Sequence, residues 1–236
     1  IRNTLIGGLA GDALTTGSFN TAFGYAALST EDTANNNTAL GYSALTTLNG
    51  GTQNVAVGQS AAAAMTTGNQ NTIIGTNAGD ALTDADFNVA VGYLALSADT
   101  LGSNSVAVGM NALQGQNFTS ATNVYNTAVG HGAGAEVTTG VNNTLIGGLA
   151  GDAITTGSQI TAIGQHAAGK TTTASNNTAI GRAAMYDNTT GASNVAVGTD
   201  ALYFNTTASN NTAVGYQSLY DNTTGANNQA VGNYAL

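Results

Sequence analysis

Few residues in this chain have the types and spacing needed for chemistry, and the first of them form a glycine-rich stretch. Gly7-Gly8-Leu9-Ala10-Gly11-Asp12 recurs at positions 147–152 and resembles a loop that cradles a phosphate group. The stretch lacks the lysine of a P-loop, and no helix-forming segment follows it. A structural corner is therefore the favoured interpretation of both copies.

Metal binding and nucleophilic catalysis have little support in the sequence. Asp84 and Asp86 carry the oxygen ligands that calcium prefers, although a solvated acidic loop is the simpler interpretation. His131 and His166 have no cysteine or cluster of glutamates near them in sequence, so neither a zinc site nor a nucleophilic constellation can be assembled. The sequence predicts no enzyme, no metal and no cofactor.

Asparagine and tyrosine give two further kinds of candidate site. Asn188, Asn205 and Asn222 each begin an Asn-x-Thr triplet, the acceptor for N-glycosylation, but such triplets arise by chance in a chain this rich in both residues. Tyrosines recur at fixed intervals along the chain. Rows of aromatic rings can stack on sugars or proteins, or they can pack against one another, which is the favoured interpretation here.

Charged residues are scarce. The 236 residues include twelve acids and three bases, with a formal net charge of −9. Three basic residues cannot follow a phosphate backbone, so we expect no nucleic-acid partner. No apolar run reaches about 18 residues, so we expect no membrane insertion. A hydrophobic content of 42% with only 6% charge favours a packed structure over disorder.

A repeat closed by glycine positions all of these residues. Successive closing glycines are 17 residues apart, with a single interval of 21. A short fixed period is typical of a solenoid, in which each coil packs against its neighbours. We predict an all-β parallel β-roll or β-helix of about 14 coils, forming one solenoid over residues 1–236. The closing glycines, position 0 of each repeat, are Gly7, Gly24, Gly41, Gly58, Gly75, Gly92, Gly109, Gly130, Gly147, Gly164, Gly181, Gly198, Gly215 and Gly232.

The residues before each glycine predict a short strand. Position −1 is Ile, Val, Leu or Phe in every repeat, position −3 is Thr or Val in all but one, and position −2 is usually Ala. Side chains alternate along a strand, so positions −1 and −3 share one face and position −2 lies on the other. Because a strand that is apolar on both faces is buried on both, we expect one face to fill the coil and the other to pack against another chain.

The residues after the glycine predict a second strand with Ala at position +3. Position +4 is usually Leu or Met. Where it is Gly or Ala instead, an apolar residue stands at position +7 in all but one repeat, which predicts a single core space filled from either position. Asn occupies position −4 in nearly every repeat and is expected to form a hydrogen-bonded ladder from coil to coil.

The one long interval contains an insertion of four residues, within positions 110–126. Insertions in a solenoid go to loops on one face. We therefore identify Asn117, Phe118 and Tyr125 as a candidate contact loop, and we expect Phe118 and Tyr125 to project from it.

The repeat motif also resembles that of a known family. Asn54-Val55-Ala56-Val57-Gly58 and the copies that end at Gly109 and Gly198 resemble the head repeat of YadA-type trimeric autotransporter adhesins. They are also similar to repeats of bacteriophage tail fibres and other bacterial surface fibres. The resemblance implies a left-handed β-roll, three chains packed about a fibre axis, and adhesion at a cell surface or virion tail. The period of 17 is longer than in those heads, and this sequence shows no counterpart of their stalk, neck and anchor, so the resemblance covers the head repeat.

Self-association is also expected from the residues themselves. A core built on Ala gives little stabilisation, because each buried methylene contributes only about 0.8 kcal/mol. Burying an outer apolar face against partner chains would add to that stabilisation. We predict a homotrimeric extracellular fibre segment that adheres to a host-surface protein or glycan. The chain begins and ends within a repeat, so we expect a piece of a longer fibre.

Two alternatives remain open at this point. Coils that stack end to end would give a self-assembling head-to-tail extracellular filament. Thr at position +8, and often at +9, raises a third function, ice binding, which needs a regular threonine array. Interruptions of the threonine row at Asp32 and Asn49 count against ice binding.

Overall fold

The computed structural model describes residues 2–30 and 33–236, and in these ranges the chain folds into short strands and turns without a helix. It divides into two compact units, Ile1–Val124 and Tyr125–Leu236. Each unit is a parallel β-solenoid whose strands recur with the 17-residue period. The predicted all-β solenoid is confirmed. Its handedness and its continuity as one domain stay predictions.

The first unit contains nine strands. Seven of them, β1 to β6 and β8, pair in parallel, each with the next one along the chain. The other two, β7 and β9, form a separate parallel pair with Gly102 opposite Thr122. The strands are β1 Thr4–Ile6, β2 Thr21–Phe23, β3 Thr38–Leu40, β4 Val55–Val57, β5 Thr72–Ile74, β6 Val89–Val91, β7 Gly102–Ser103, β8 Val106–Val108 and β9 Thr122–Asn123.

The second unit contains seven strands, which also pair in parallel in chain order. Thr144 lies opposite Thr161, and every other pair follows the same 17-residue register. Equivalent side chains therefore stack on one another from coil to coil. The strands are β10 Thr127–Val129, β11 Thr144–Ile146, β12 Thr161–Ile163, β13 Thr178–Ile180, β14 Val195–Val197, β15 Thr212–Val214 and β16 Gln229–Val231.

Each of the fourteen three-residue strands points its middle side chain, at position −2, into the coil. That side chain is Ala or a larger aliphatic residue, and it is buried in every strand from β2 onward, whereas Leu5 in β1 is 40% exposed. The first and third residues of the strands are half-buried or exposed. The small-residue face is therefore the interior, and the larger side chains at position −1 lie on the outside.

The second strand predicted after each glycine is not formed in the described coils, so that prediction was wrong. Turns begin at position +1 and extend to +4 or +6 in the complete coils, and positions +2 and +4 have positive φ, as at Ala26 and Leu28, both with φ of 54°. This left-handed conformation costs an L-residue roughly 1–2 kcal/mol and interrupts an extended strand. Hydrogen bonds to the coils on both sides offset that cost. The Ala26 N–H donates to Gly8 O at 2.9 Å, and the Leu28 N–H donates to Ala44 O at 3.0 Å.

The core space shared by positions +4 and +7 is confirmed. A Cβ atom on Gly79 would lie 2.8 Å from Cδ1 of Leu82, so the side chain at +7 occupies the space that Leu at +4 fills elsewhere. One coil buries leucine at both positions, Leu45 and Leu48, and another coil has neither large side chain, with Ala168 and Thr171 both buried. In that coil Ile160 stands where Asn is usual and is itself fully buried, which adds apolar volume to the core.

Candidate interaction surfaces

Each unit has an outer sheet face, formed by positions −3 and −1 of its three-residue strands, that carries exposed apolar side chains. None of the residues of this face is charged. In the first unit its exposed large side chains include Ile6, Phe23, Leu40 and Ile74, and in the second unit Val129, Ile146, Ile180 and Val231. An exposed apolar surface repeated from coil to coil is typical of an interaction site.

The charged side chains of the second unit lie away from this face, in the turns that follow each glycine. Lys170 forms an ion pair with Asp187 at 2.7 Å, and Arg182 forms one with Asp200 at 3.0 Å. Each pair joins one coil to the next. Burying the outer sheet face of this unit against a partner would therefore not remove a charged side chain from water.

The tyrosines form columns along each unit. Tyr25 and Tyr42 at position +1 stack with ring centroids 5.6 Å apart, and both are about half exposed. At position +5, Tyr203 lies between Tyr186 and Tyr220, at 5.3 and 5.4 Å. The prediction that the tyrosines pack between coils is confirmed.

The candidate contact loop is only partly exposed. Phe118 does not project as expected, because its side chain is 7% exposed. Its backbone explains the difference, since the Phe118 N–H donates to buried Asp99 Oδ1 at 2.9 Å and its carbonyl accepts the Thr100 hydroxyl at 2.8 Å. Asn117 is exposed. In the second unit, Tyr125 is 55% exposed, in agreement with the expectation.

The Asn residues at position −4 form the predicted ladder inside the coils. The Asn37 N–H donates to Asn20 Oδ1 at 2.9 Å, and the Asn37 Nδ2 donates to Gly51 O at 2.9 Å. The same pair of bonds recurs along both units, and these side chains are buried wherever a further coil covers them. They hold the coils together and are not available to a ligand.

Sequence reasoning missed a second ladder, at position +7. Asn188 and Asn205 are fully buried, and Asn205 Nδ2 donates to Asn188 Oδ1 at 2.9 Å. A sequence pattern could have revealed this ladder, because a polar residue stands at +7 in most repeats that have Leu or Met at +4. Both residues begin Asn-x-Thr triplets, and burial makes their amides inaccessible to glycosylation.

The glycine-rich stretch that resembles a phosphate loop has a steric explanation. A Cβ atom on Gly7 would lie 2.5 Å from the carbonyl oxygen of Gly24, and one on Gly11 would lie 2.7 Å from Leu5 Cδ2. Gly7 also has a φ of +132°, which favours glycine. Close packing against the next coil and the core therefore accounts for these glycines.

The acids and histidines are dispersed. Asp84 Oδ1 accepts the Thr67 hydroxyl at 2.7 Å, and Asp86 Oδ1 accepts the backbone N–H of Asn69 at 2.6 Å. His131 is exposed, whereas His166 makes an edge contact with the ring of Tyr186. Within residues 2–30 and 33–236, no three metal-binding side chains come together.

Comparison with protein-family models, curated proteins and solved structures finds no match to this chain. The resemblance to YadA-type head repeats therefore depends on the repeat motif and stays a prediction. A search of the described ranges finds no helix that is both long and apolar enough to cross a membrane.

Proposed function

We propose that this chain is a structural and adhesive segment of an extracellular trimeric fibre, carried by a bacterial surface adhesin or a phage tail. The outer sheet face is the observation that supports the proposal. It presents one apolar side chain at position −1 of each coil and contains no charged residue. Such a face gains stability when it is removed from water, at about 25 cal/mol per Å² of apolar surface.

A second copy of the same chain is the partner with a matching surface. Neighbouring parallel strands lie about 4.8 Å apart, so the apolar side chains recur at that interval. An identical chain carries the same row of side chains at the same interval. Three copies with their outer sheet faces toward a common axis would bury these rows together, and the ion pairs of the turns would remain outside.

Adhesion follows from repetition. The exposed Tyr25 and Tyr42 rings and the exposed Asn117 are suited to weak contacts with a host-surface protein or glycan. Three chains in one fibre would multiply such contacts through avidity. In this proposal the chain is not an enzyme, and its function depends on stiffness and multivalency.

The oligomeric state in solution tests the proposal. Light scattering on the wild-type chain should give the mass of a trimer. Val129, in β10, is 38% exposed on the outer sheet face, and Val129→Asp should give monomers because it places a charge within the buried contact. Gln159→Asp is the control, since it adds the same charge at an exposed position of a return loop and should leave the trimer intact.

A wild-type chain that stays monomeric at every concentration would refute the fibre proposal. Open-ended polymers of growing mass would favour the alternative, a self-assembling extracellular filament with head-to-tail contacts. Circular dichroism of both variants establishes that any loss of mass reflects assembly and not unfolding.

A further inference from the structure

We propose that the second unit binds ice through its threonine face, defined as positions +8 to +12 of the coils between residues 138 and 227. Its central feature is a row of six exposed threonines, one in each successive coil at position +9. The same row in the first unit is interrupted. The six residues are Thr139, Thr156, Thr173, Thr190, Thr207 and Thr224.

Hydrogen bonding separates these threonines from their neighbours at position +8. The Thr172 hydroxyl at +8 donates to Thr189 O in the next coil at 3.3 Å, and the Thr189 hydroxyl donates to Thr206 O at 3.0 Å. These hydroxyl groups stabilise the stack of coils. Within the second unit, by contrast, no intramolecular hydrogen bond engages the hydroxyl groups at +9, which face solvent.

The fold does not require threonine at position +9. In the first unit the same position holds Gly50, Asp84 and Leu101, in coils that have the same strands and register. Six consecutive threonines in the second unit therefore need a reason other than folding. An external partner with its own regular period supplies one.

The threonine face carries no charge, in a chain whose net charge is −9. Every charged side chain and histidine of the second unit falls between positions +1 and +6 of its repeat. Position +12, next to the threonine row, holds only exposed Asn, Gln and Ser. The charged and histidine residues are His131, Glu136, Asp152, His166, Lys170, Arg182, Asp187, Asp200 and Asp221.

Ice is the uncharged, periodic partner that suits this surface. Hydrogen-bonded coils fix the threonine backbones at intervals of about 4.8 Å, and β-branching restricts the side chains to few rotamers. Each residue then presents one hydroxyl and one methyl group in nearly the same orientation. Such an array can order water at regular positions before contact with ice, so that little conformational freedom is lost on binding.

Thermal hysteresis of the full chain, with observation of ice-crystal shape, tests the proposal. The wild-type chain should depress the freezing point below the melting point and produce faceted crystals. Thr173→Lys combined with Thr190→Lys should abolish both effects, because two long charged side chains interrupt the centre of the row. The control combines Thr16→Lys with Thr33→Lys at exposed +9 positions of the first unit and should retain full activity.

Three results would overturn the proposal. These are a wild-type chain without thermal hysteresis, an equal loss of activity in the control variant, and binding to an insoluble polysaccharide without any effect on ice growth. Circular dichroism and thermal unfolding establish that each variant is folded. The oligomeric state is tested separately, by light scattering, so either proposal can fail without the other.

Discussion

Leu145 and Gly151 share one space in the core of the second unit, because a Cβ atom on Gly151 would lie 2.9 Å from Cδ2 of Leu145. A large residue at position −2 therefore requires a residue without a side chain at position +4 of the same repeat. The first unit shows the same relationship. In the sequence, each of the three repeats with Leu or Ile at −2 has Gly at +4, as the pairs Leu5 and Gly11, Ile73 and Gly79, and Leu145 and Gly151.

Gly151→Ala should lower the free energy of unfolding by about 1–3 kcal/mol, because the added methyl group overpacks the core. It would lie 2.6 Å from Ile154 Cδ1 as well as against Leu145. In a Leu145→Ala background the same substitution should cost less, since one of the two contacting side chains is then removed. Urea denaturation of the two single variants and the double variant measures the coupling. Strict additivity would show that the two residues do not share the space.

Gly181→Ala should be more damaging, because Gly181 has a φ of +135° and a Cβ atom there would lie 2.5 Å from the carbonyl oxygen of Gly198. The contacting atom belongs to the backbone of Gly198 and cannot move aside as a flexible side chain could. We therefore expect a loss of about 3 kcal/mol or more in the free energy of unfolding. Gly148→Ala is the matched control, because nothing lies within 4 Å of its Cβ position. Thermal unfolding that leaves both variants equally stable would contradict this steric argument.

The spacing of the glycines was sufficient to predict the fold class, the coil length and the parallel register. A 17-residue period places Thr161 opposite Thr178, as the structure shows. The turns after each glycine could not be predicted in the same way. Leu28 and Leu45 adopt positive φ because their N–H groups bond to a neighbouring coil, and leucine itself gives no sign of that conformation.

The conformation of the candidate contact loop could not be predicted from the sequence either. The interval of 21 residues revealed an insertion, but the sequence did not show that Asp99 would hold the backbone of Phe118 and turn its side chain inward. The outer sheet face was predictable, since alternation along a three-residue strand fixes which side chains point outward. The ladder at position +7 was detectable only as a correlation with position +4.

Asn194→Ala should lower the free energy of unfolding by about 1–3 kcal/mol, because it leaves the buried Asn211 N–H without a partner and removes one of the two side-chain hydrogen bonds to Ala208 O, which keeps its bond from Asn205 Nδ2. The Asn194 side chain accepts the Asn211 N–H at 2.9 Å and donates to Ala208 O at 2.8 Å. Gln165→Ala removes a comparable amide from an exposed position and should change stability little. Hydrogen exchange should also show faster exchange of the Asn211 amide in the Asn194 variant. An unchanged rate there would argue that the ladder bond contributes nothing.

Asp152→Asn should stabilise the second unit at neutral pH. Burial raises the pKa of Asp152 and outweighs the hydrogen bond from its own backbone and the attraction to His166, which both lower the pKa, while Glu136 adds a small further increase. The Oδ1 atom of Asp152 is buried and has no hydrogen-bond partner among the described residues. The fold therefore favours the protonated carboxyl group of Asp152. The stability that the protonated group contributes is complete below the unfolded pKa of about 3.9 and is lost as pH rises through the higher folded pKa.

The expected gain therefore depends on pH. Thermal unfolding at about pH 7 should show a higher Tm for Asp152→Asn than for the wild type, since the variant removes a charge that burial disfavours. At about pH 3, where the aspartate is protonated in both states, the two proteins should unfold at nearly the same temperature. Asp221→Asn, at an exposed +6 position, serves as the control for a general effect of net charge. A gain of the same size at both pH values, or in both variants, would rule out desolvation of Asp152 as its cause.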